Sequence, residues 1–373
     1  MGDPLYGCLS ILVYLFINLI VIPLSFGQYR ESEKSGVSKK KLSIVCCILV
    51  SLVYALYNKF NTVPQVMGGD RQNYLQDFNG RSTGYEAFDI FLRIVFEVTN
   101  GDFFSLLYLT TFLCVFVLLV SYKYSRQGTP YALMFYFSTN YVFFTFTGLK
   151  QAIAGIFFNL FFLVMLWDSD KRVKDLIGVF LIMMACSMHV TGYILIPVFF
   201  LLKLDFNTEI KRISITAILL ALIVLFEPIM LGLSRVLNSA IPMLSTKISE
   251  YLGEDSIQST GTVATVLRGV PYYMLCFFAI SDHHFYASKI KNFDRMFLLA
   301  IVASLLSVST VFSYWLSRAA SCLIFPVGLL FGQMFSVSDA PRQRQQLLLF
   351  VLLPMLFFTL RSAFLVFSIY GGF

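Results

Sequence analysis

Apolar runs of membrane-spanning length recur along this chain, near 5–26, 42–57, 103–121, 130–147, 151–167, 176–189, 190–202, 213–231, 262–280, 296–312, 318–336 and 347–367. About twenty mostly apolar residues make one helical crossing, so the pattern predicts an all-α polytopic membrane protein. It would have about twelve transmembrane helices in a single integral membrane domain over 1–373. The stretch from Asp175 to Lys203 decides the most. At roughly thirty residues it is long for one crossing and short for two. Lys171, Arg172 and Lys174 precede it, and Lys203, Lys211 and Arg212 close or follow it. Basic flanks stay on the cytoplasmic side, so the run crosses twice, as two short helices or a re-entrant hairpin broken around Gly192 and Pro197. His189 then lies at the turn, on the outer face.

The same rule orients the rest of the chain. Loops 27–41, 122–129, 168–175, 203–212, 281–295 and 337–346 carry most of the 28 Lys and Arg and are assigned to the inside. Two outer, periplasmic loops, about 58–102 and about 232–261, far exceed the usual connector of about four to six residues. The first contains GGDRQNYLQDF and then, over 84–100, a Phe88, Phe91, Leu92, Val95, Phe96 spacing that predicts an amphipathic helix lying at the interface. The second carries Glu250, Glu254 and Asp255. Abundant Tyr and Phe speak against disorder in these loops. No half-and-half internal repeat of the transporter kind is visible.

Composition narrows the class further. With 58% hydrophobic and 13% charged residues, no soluble domain is left over. The net charge of +7 reads as cytoplasmic anchoring, and no nucleic-acid partner is implied, because no basic segment is interleaved with aromatics. Run 5–26 is followed by Arg30, Lys34, Lys39, Lys40 and Lys41, with no basic segment before it, so it reads as a retained helix with its N-terminus outside. The seven cysteines show neither zinc nor disulfide spacing and read as small core residues.

Ionisable residues in or near the spans are candidates for chemistry, because charge at membrane depth is expensive. Lys150, His189, Glu227, Arg268, Arg318 and Arg361 all map to the outer half. Lys150 stands in TGLKQAIAG at the head of a span, where a cation beside a helix N-terminus can grip an anion or simply snorkel to the interface. Arg268 with Tyr272, and Arg318 with Tyr314, each pair a guanidinium and a phenol one helical turn apart. Such forks suit phosphate oxygens, and interface anchoring is the plainer alternative. Asp70, Tyr74 and Asp77 recur at i, i+4, i+7, which puts them on one face if GGDRQNYLQDF is helical. Asp70 follows Gly68 and Gly69, where backbone can approach a ligand, whereas Asp77 reads as a solvated ion pair. His189 is suited to acid–base work near neutral pH, and a lone buried histidine is also a common hydrogen-bonded core residue.

Two signals are discounted. Asp168–Ser169–Asp170 has the spelling of a metal-binding DxD but sits beside Lys171 and Arg172 in a short basic loop. His283 and His284 are adjacent and lack metal-ligand spacing. No metal and no cofactor is assigned.

The order GGDRQNYLQDF, GLKQAIAGIFFNL, SMHVTGYILIPVFFL and SYWLSRAASCLIFP resembles the EpsG/Wzy family of bacterial oligosaccharide repeat-unit polymerases, over most of the chain. Where the family usually carries arginine, this chain has Lys150, which keeps the charge but not the fork. The resemblance implicates Asp70, Lys150, His189 and Arg318. It implies a metal-independent glycosyltransferase similar to the GT-C type, O-antigen ligase included. Such an enzyme moves a growing glycan from undecaprenyl diphosphate onto the non-reducing end of another lipid-linked repeat unit, as in O-antigen and lipopolysaccharide biosynthesis. The setting it implies is the periplasmic face of the bacterial cytoplasmic (inner) membrane, with lipid-linked donor and acceptor as partners and room for a chain-length regulator. On that reading Asp70 or His189 is the base, and Lys150, Arg268 and Arg318 meet the leaving diphosphate with Tyr74, Tyr272 and Tyr314 beside them. The rivals are a lipid-linked oligosaccharide flippase or another transporter, which needs charge along a mid-depth cavity, and a membrane glycan acyltransferase with a histidine base.

Overall fold

Every regular element among the described residues is helical. The computed structural model describes residues 44–60, 70–125, 130–139, 148–166, 170–204, 262–308, 314–338 and 340–370, with isolated positions within 12–16 and 213–235. The spans expected at 5–26 and 213–231 and the outer loop at 232–261 lie outside the described residues, as does the expected position of the N-terminus.

Local chemistry starts the helices where the apolar pattern predicts them. Helix α1 covers Ile44–Phe60, and the first outer loop holds two helices, α2 (Asp70–Phe78) and α3 (Glu86–Val98). Asp102 then caps α4 (Phe103–Tyr124), its carboxylate accepting from the backbone N–H of Phe104 and Ser105 at 3.2 and 3.1 Å. Helix α5 is Pro130–Phe137 and α6 is Leu149–Met165. Asp170 caps α7 (Lys171–Met188) by accepting from Arg172 N–H at 2.8 Å. Of the DxD spelling, Asp168 and Ser169 lie outside the described residues. A 3-10 turn, Val190–Ile194, leads into α8, Leu195–Leu201. Then come α9 (Thr262–Ser281), α10 (His283–Lys289), α11 (Phe293–Val308), α12 (Tyr314–Ser321) and α13 (Ile324–Val337). The chain ends in α14 (Pro341–Leu347), running through a π-turn into α15, Leu353–Tyr370.

Among the described residues two helices are long and apolar enough to cross a bilayer by themselves, Phe103–Tyr124 and Pro341–Arg361. Five shorter apolar helices accompany them, Ile44–Leu56, Leu149–Met165, Val190–Leu201, Gly269–Ser281 and Ile324–Val337. Apolar run length therefore overstated helix length. The run at 318–336 is interrupted between Ser321 and Ile324, and the run at 190–202 opens with a 3-10 turn. Neither the count of twelve crossings nor the GT-C likeness follows from these elements.

Helices α1, α4, α6 and α7 pack in that order, while α9, α11, α13 and α5 form a second group joined to α6 through α13. One continuous apolar core runs through both. The outward side is also apolar. On α7, Gly178, Leu181 and Ala185 are buried, and Leu176, Phe180 and Met183 stand more than half exposed. An exposed apolar stripe of this extent is a surface for lipid, and the chain is a membrane protein.

The stretch Asp175 to Lys203 is the predicted hairpin. Helix α7 runs out to His189, the 3-10 turn reverses the chain, and α8 returns until Lys203 pairs with Asp175. That ion pair sets both feet of the hairpin at one level, leaving His189 at the far end. Gly192 makes the turn possible. A Cβ there would lie 2.4 Å from Ala185 C and 2.5 Å from Cys186 N, backbone atoms of α7 that cannot step aside. Gly192→Ala is expected to abolish most folded protein, read as the monodisperse fraction on size-exclusion chromatography. Gly178→Ala, which would meet side-chain ends at 3.3 and 3.4 Å, is expected to stay near wild type. Equal yields would show that the turn tolerates a Cβ.

The segment of α2 and α3, expected as the first outer loop, folds against this hairpin. Helix α3 buries Phe88, Leu92 and Val95, packing on α7, α2 and α4. The amphipathic helix predicted over 84–100 is therefore present. It has a second apolar stripe, Ile90, Ile94 and Val98, exposed on another side.

Candidate functional site

Asp77 organises the site. Its side chain is only 1% exposed, and it faces two cations: Lys150 Nζ lies 3.2 Å from Oδ2 and Arg81 Nη2 lies 2.6 Å from Oδ1. Arg81 also donates Nε–H to Oδ1 at 2.7 Å, and its other groups hold Gln76 Oε1 and the Asn73 carbonyl at 2.7 and 3.1 Å. The solvated ion pair expected for Asp77 is thus overturned. The pairing exists, but its carboxylate is buried where α2 packs on α3 and Lys150 reaches across from α6, and only the Arg81 side stays half exposed. A buried carboxylate with a cation at each oxygen holds both partners in place.

Lys150 is the best-held cation of the site. Besides Asp77, its ammonium has the rings of Phe88, Tyr74 and Tyr85 at 5.7, 5.8 and 5.9 Å. Three aromatic faces and a carboxylate around one ammonium exceed what simple snorkelling to the interface provides. Tyr74 and Asp77 share a face of α2, as their spacing predicts. Tyr85 is aimed by the turn before α3, where Asp89 accepts from Thr83 N–H at 3.0 Å, Thr83 Oγ1 at 2.6 Å and Ser82 Oγ at 2.9 Å. Burial alone would raise the Asp89 carboxyl. The bonds from Thr83 and Ser82, with the nearby charge of Lys150, outweigh it and hold the group below its ordinary value.

Tyr85 connects this cluster to the hairpin. Its ring stacks on His189 with centroids 6.0 Å apart and planes at 24°. His189 Nδ1 lies 3.2 Å from the Thr191 backbone N–H and 2.8 Å from Thr191 Oγ1. A backbone N–H can only donate, so Nδ1 is the acceptor and the neutral ring carries its proton on Nε2. Thr191 in turn is a hydrogen-bond partner of Cys322, on the segment that follows α12. Arg318, one turn earlier, has its Nε shut off from solvent. Its carbonyl accepts from Gln151 Nε2 at 3.2 Å, from Ser321 Oγ at 2.5 Å and from Cys322 Sγ at 3.4 Å. Gln151 also donates to Ser321 Oγ at 2.8 Å and neighbours Lys150 in sequence, so the contacts close into a ring.

Four of the residues singled out by sequence, Tyr74, Lys150, His189 and Arg318, thus come together from four segments. Tyr272 does not join them; it packs edge-on against Phe135 with centroids 6.5 Å apart. Asp70 begins α2, Arg268 lies in α9 and Tyr314 begins α12, and their side chains lie outside the described residues. At the opposite end of the bundle, His283 pairs with Asp294 at 2.9 Å and touches Phe293 edge-on. Sequence reading missed Arg81, Tyr85, Gln151 and Thr191. Only Thr191 carried a local sign, a hydroxyl two residues after a histidine at a helix end.

The fold and this ring define a helical membrane protein with a cationic, aromatic-lined polar site at one end of its bundle. The EpsG family pattern matches residues 44–370, nearly the whole chain, and the chain belongs to that family. Membership associates it with a polysaccharide-polymerase-like function of glycosyltransferase type in a membrane, acting on lipid-linked glycans. Neither a curated protein nor a solved structure matches the chain.

Proposed function

We propose that this protein polymerises a glycan by moving the growing chain from undecaprenyl diphosphate onto the non-reducing end of another lipid-linked repeat unit. The reaction takes place at the periplasmic face of the bacterial cytoplasmic membrane. The observation that carries the reading is the closed ring of contacts from Asp77 through Lys150, Tyr85, His189, Thr191 and Cys322 to Arg318 and Gln151.

In the transfer the bond from the sugar anomeric carbon to the diphosphate oxygen breaks, and a bond to the acceptor hydroxyl oxygen forms. The electron pair leaves on the diphosphate, and the hydroxyl proton passes to a base. Lys150, fixed by Asp77 and three rings, and Arg318 supply positive charge where the diphosphate develops its own, without a metal. Asp77 is occupied by two cations and serves as their anchor. Asp70, which shares the i, i+4, i+7 register of Tyr74 and Asp77, is the base in this scheme. His189, with its proton on Nε2, donates a hydrogen bond to acceptor or diphosphate.

The protein purified in lipid nanodiscs with one defined undecaprenyl diphosphate repeat unit should give a ladder of products on a gel. Transbilayer movement of the lipid with no ladder would identify a flippase instead. The role of His189 has its own test. His189→Gln keeps an N–H donor and is expected to retain a measurable part of the ladder, whereas His189→Ala is expected to lose it while still binding donor. If both are equally inactive and well folded, His189 takes up the proton itself and Asp70 loses its place.

A further inference from the structure

At the end of the bundle opposite the ring, a half-open cleft of about 590 Å³ lies between the ends of α6, α7, α8, α10 and α11. Its basic lining is Lys171 and Lys174 from the first turn of α7, Lys203 after α8, and Arg295 from the first turn of α11. Two carboxylates share the cleft, and each is engaged: Asp175 with Lys203 and Asp294 with His283. The balance of four cations against two acids is positive. These cations also crowd one another, because Lys171, Arg172 and Lys174 share the first turn of α7 with no acid among them, and the Asp170 carboxylate at the cap is engaged by the backbone N–H of Arg172. Anchoring at a cytoplasmic boundary requires cations near the membrane but does not require them to face one shared cleft. An anion in that space relieves the mutual repulsion.

The surroundings indicate which anion. Directly beside the cleft the surface is apolar and exposed: Val173, Leu176 and Phe180 on α7, Phe200 on α8 and Leu204 after it. A phosphate seated among the lysines would have acyl chains lying along these side chains. We propose that the cleft is a binding site for a phosphate-bearing anion, and that its occupant is the headgroup of an anionic phospholipid. The site is separate from the glycan site and rests only on the membrane setting of the fold.

The cleft also links the feet of the elements that build the ring. Helix α7 runs from Lys171 to His189, the stretch from Val190 to Lys203 returns from Thr191, and α11 leads from Arg295 toward α12 and Arg318. A lipid held by all three feet fastens the hairpin from below.

The test uses the full-length protein in detergent, titrated separately with phosphatidylglycerol, with phosphatidylethanolamine and with inorganic phosphate. Thermal unfolding and native mass spectrometry are the readouts. Phosphatidylglycerol is expected to raise the unfolding temperature saturably, by about 3 °C or more, and to survive as a bound adduct. Phosphatidylethanolamine should do neither. In Lys174→Gln/Arg295→Gln the shift and the adduct should disappear. In Lys289→Gln/Arg342→Gln, exposed basic residues at the same end but outside the cleft, both should persist. Equal loss in the two double variants, or no saturable effect on the wild type, overturns the site. A full shift with inorganic phosphate and none with the lipid overturns the lipid as occupant. If the cleft variant is recovered misfolded, Lys171→Gln alone, at an exposed first-turn position, should weaken the lipid effect severalfold, and an unchanged effect overturns the site.

Discussion

Arg318→Ala should lower polymer formation by about 10²–10³-fold, the range for removing one preorganised charge-stabilising donor from a transition state. The protein should remain folded. The bonds that Gln151, Ser321 and Cys322 direct to this residue all end on its carbonyl, which alanine retains. Arg318→Lys keeps the charge and loses the fork, and an intermediate rate is expected. The measurement is the ladder from a defined lipid-linked repeat unit, with thermal unfolding alongside. Normal-length polymer at a normal rate from Arg318→Ala would remove this residue from the mechanism.

Lys150→Met should abolish the ladder and also destabilise the protein, by about 2–3 kcal/mol. That is toward the low end for breaking a buried ion pair, because Arg81 still holds Oδ1 of Asp77. Catalytic and structural consequences are separable here. Adding Asp77→Asn removes the buried carboxylate that has lost one of its two cations, while the amide oxygen can still accept from Arg81, so the double variant should recover part of the lost unfolding temperature and none of the polymer. Lys150→Arg should keep activity, since a guanidinium can still face Asp77 and the rings. If the double variant regains polymer, Lys150 acts only by balancing the charge of Asp77, and the leaving diphosphate is met by other groups.

Both expectations concern residues that sequence reading had selected, yet their surroundings were not legible there. The segment DRQNYLQDF is polar, and a carboxylate in such a segment predicts a solvated ion pair for Asp77. Its inner face is covered by α3 and the start of α4, with Phe78 against Phe96 and Phe103, and the cation that Asp77 meets there, Lys150, is more than seventy residues away, a pairing that no local periodicity encodes. Gln151 shows the same limit. Within GLKQAIAG it looks like one more polar residue at a helix start, but its amide ties α6 to the carbonyl of Arg318. Tyr272, selected for its spacing from Arg268, went the other way, because a phenol on a helix face is equally suited to the aromatic core where it is found.

By itself the sequence determined the helical class, the membrane setting, the amphipathic helix of the first outer loop and the hairpin that puts His189 at its turn. These depend on hydrophobic period, on caps such as Asp102 and Asp170 and on the distribution of basic residues, all of which act over one or two helical turns or by contact with lipid. The tertiary structure alone decided that Asp77 is buried between Lys150 and Arg81, that three rings surround the ammonium, that Thr191 sets the proton of His189 on Nε2, and that Arg318 is drawn to the same place. Those arrangements join segments distant in the chain. In a helix whose every face is apolar, whether toward core or toward lipid, the pattern along one segment does not specify which neighbour it meets or at what height.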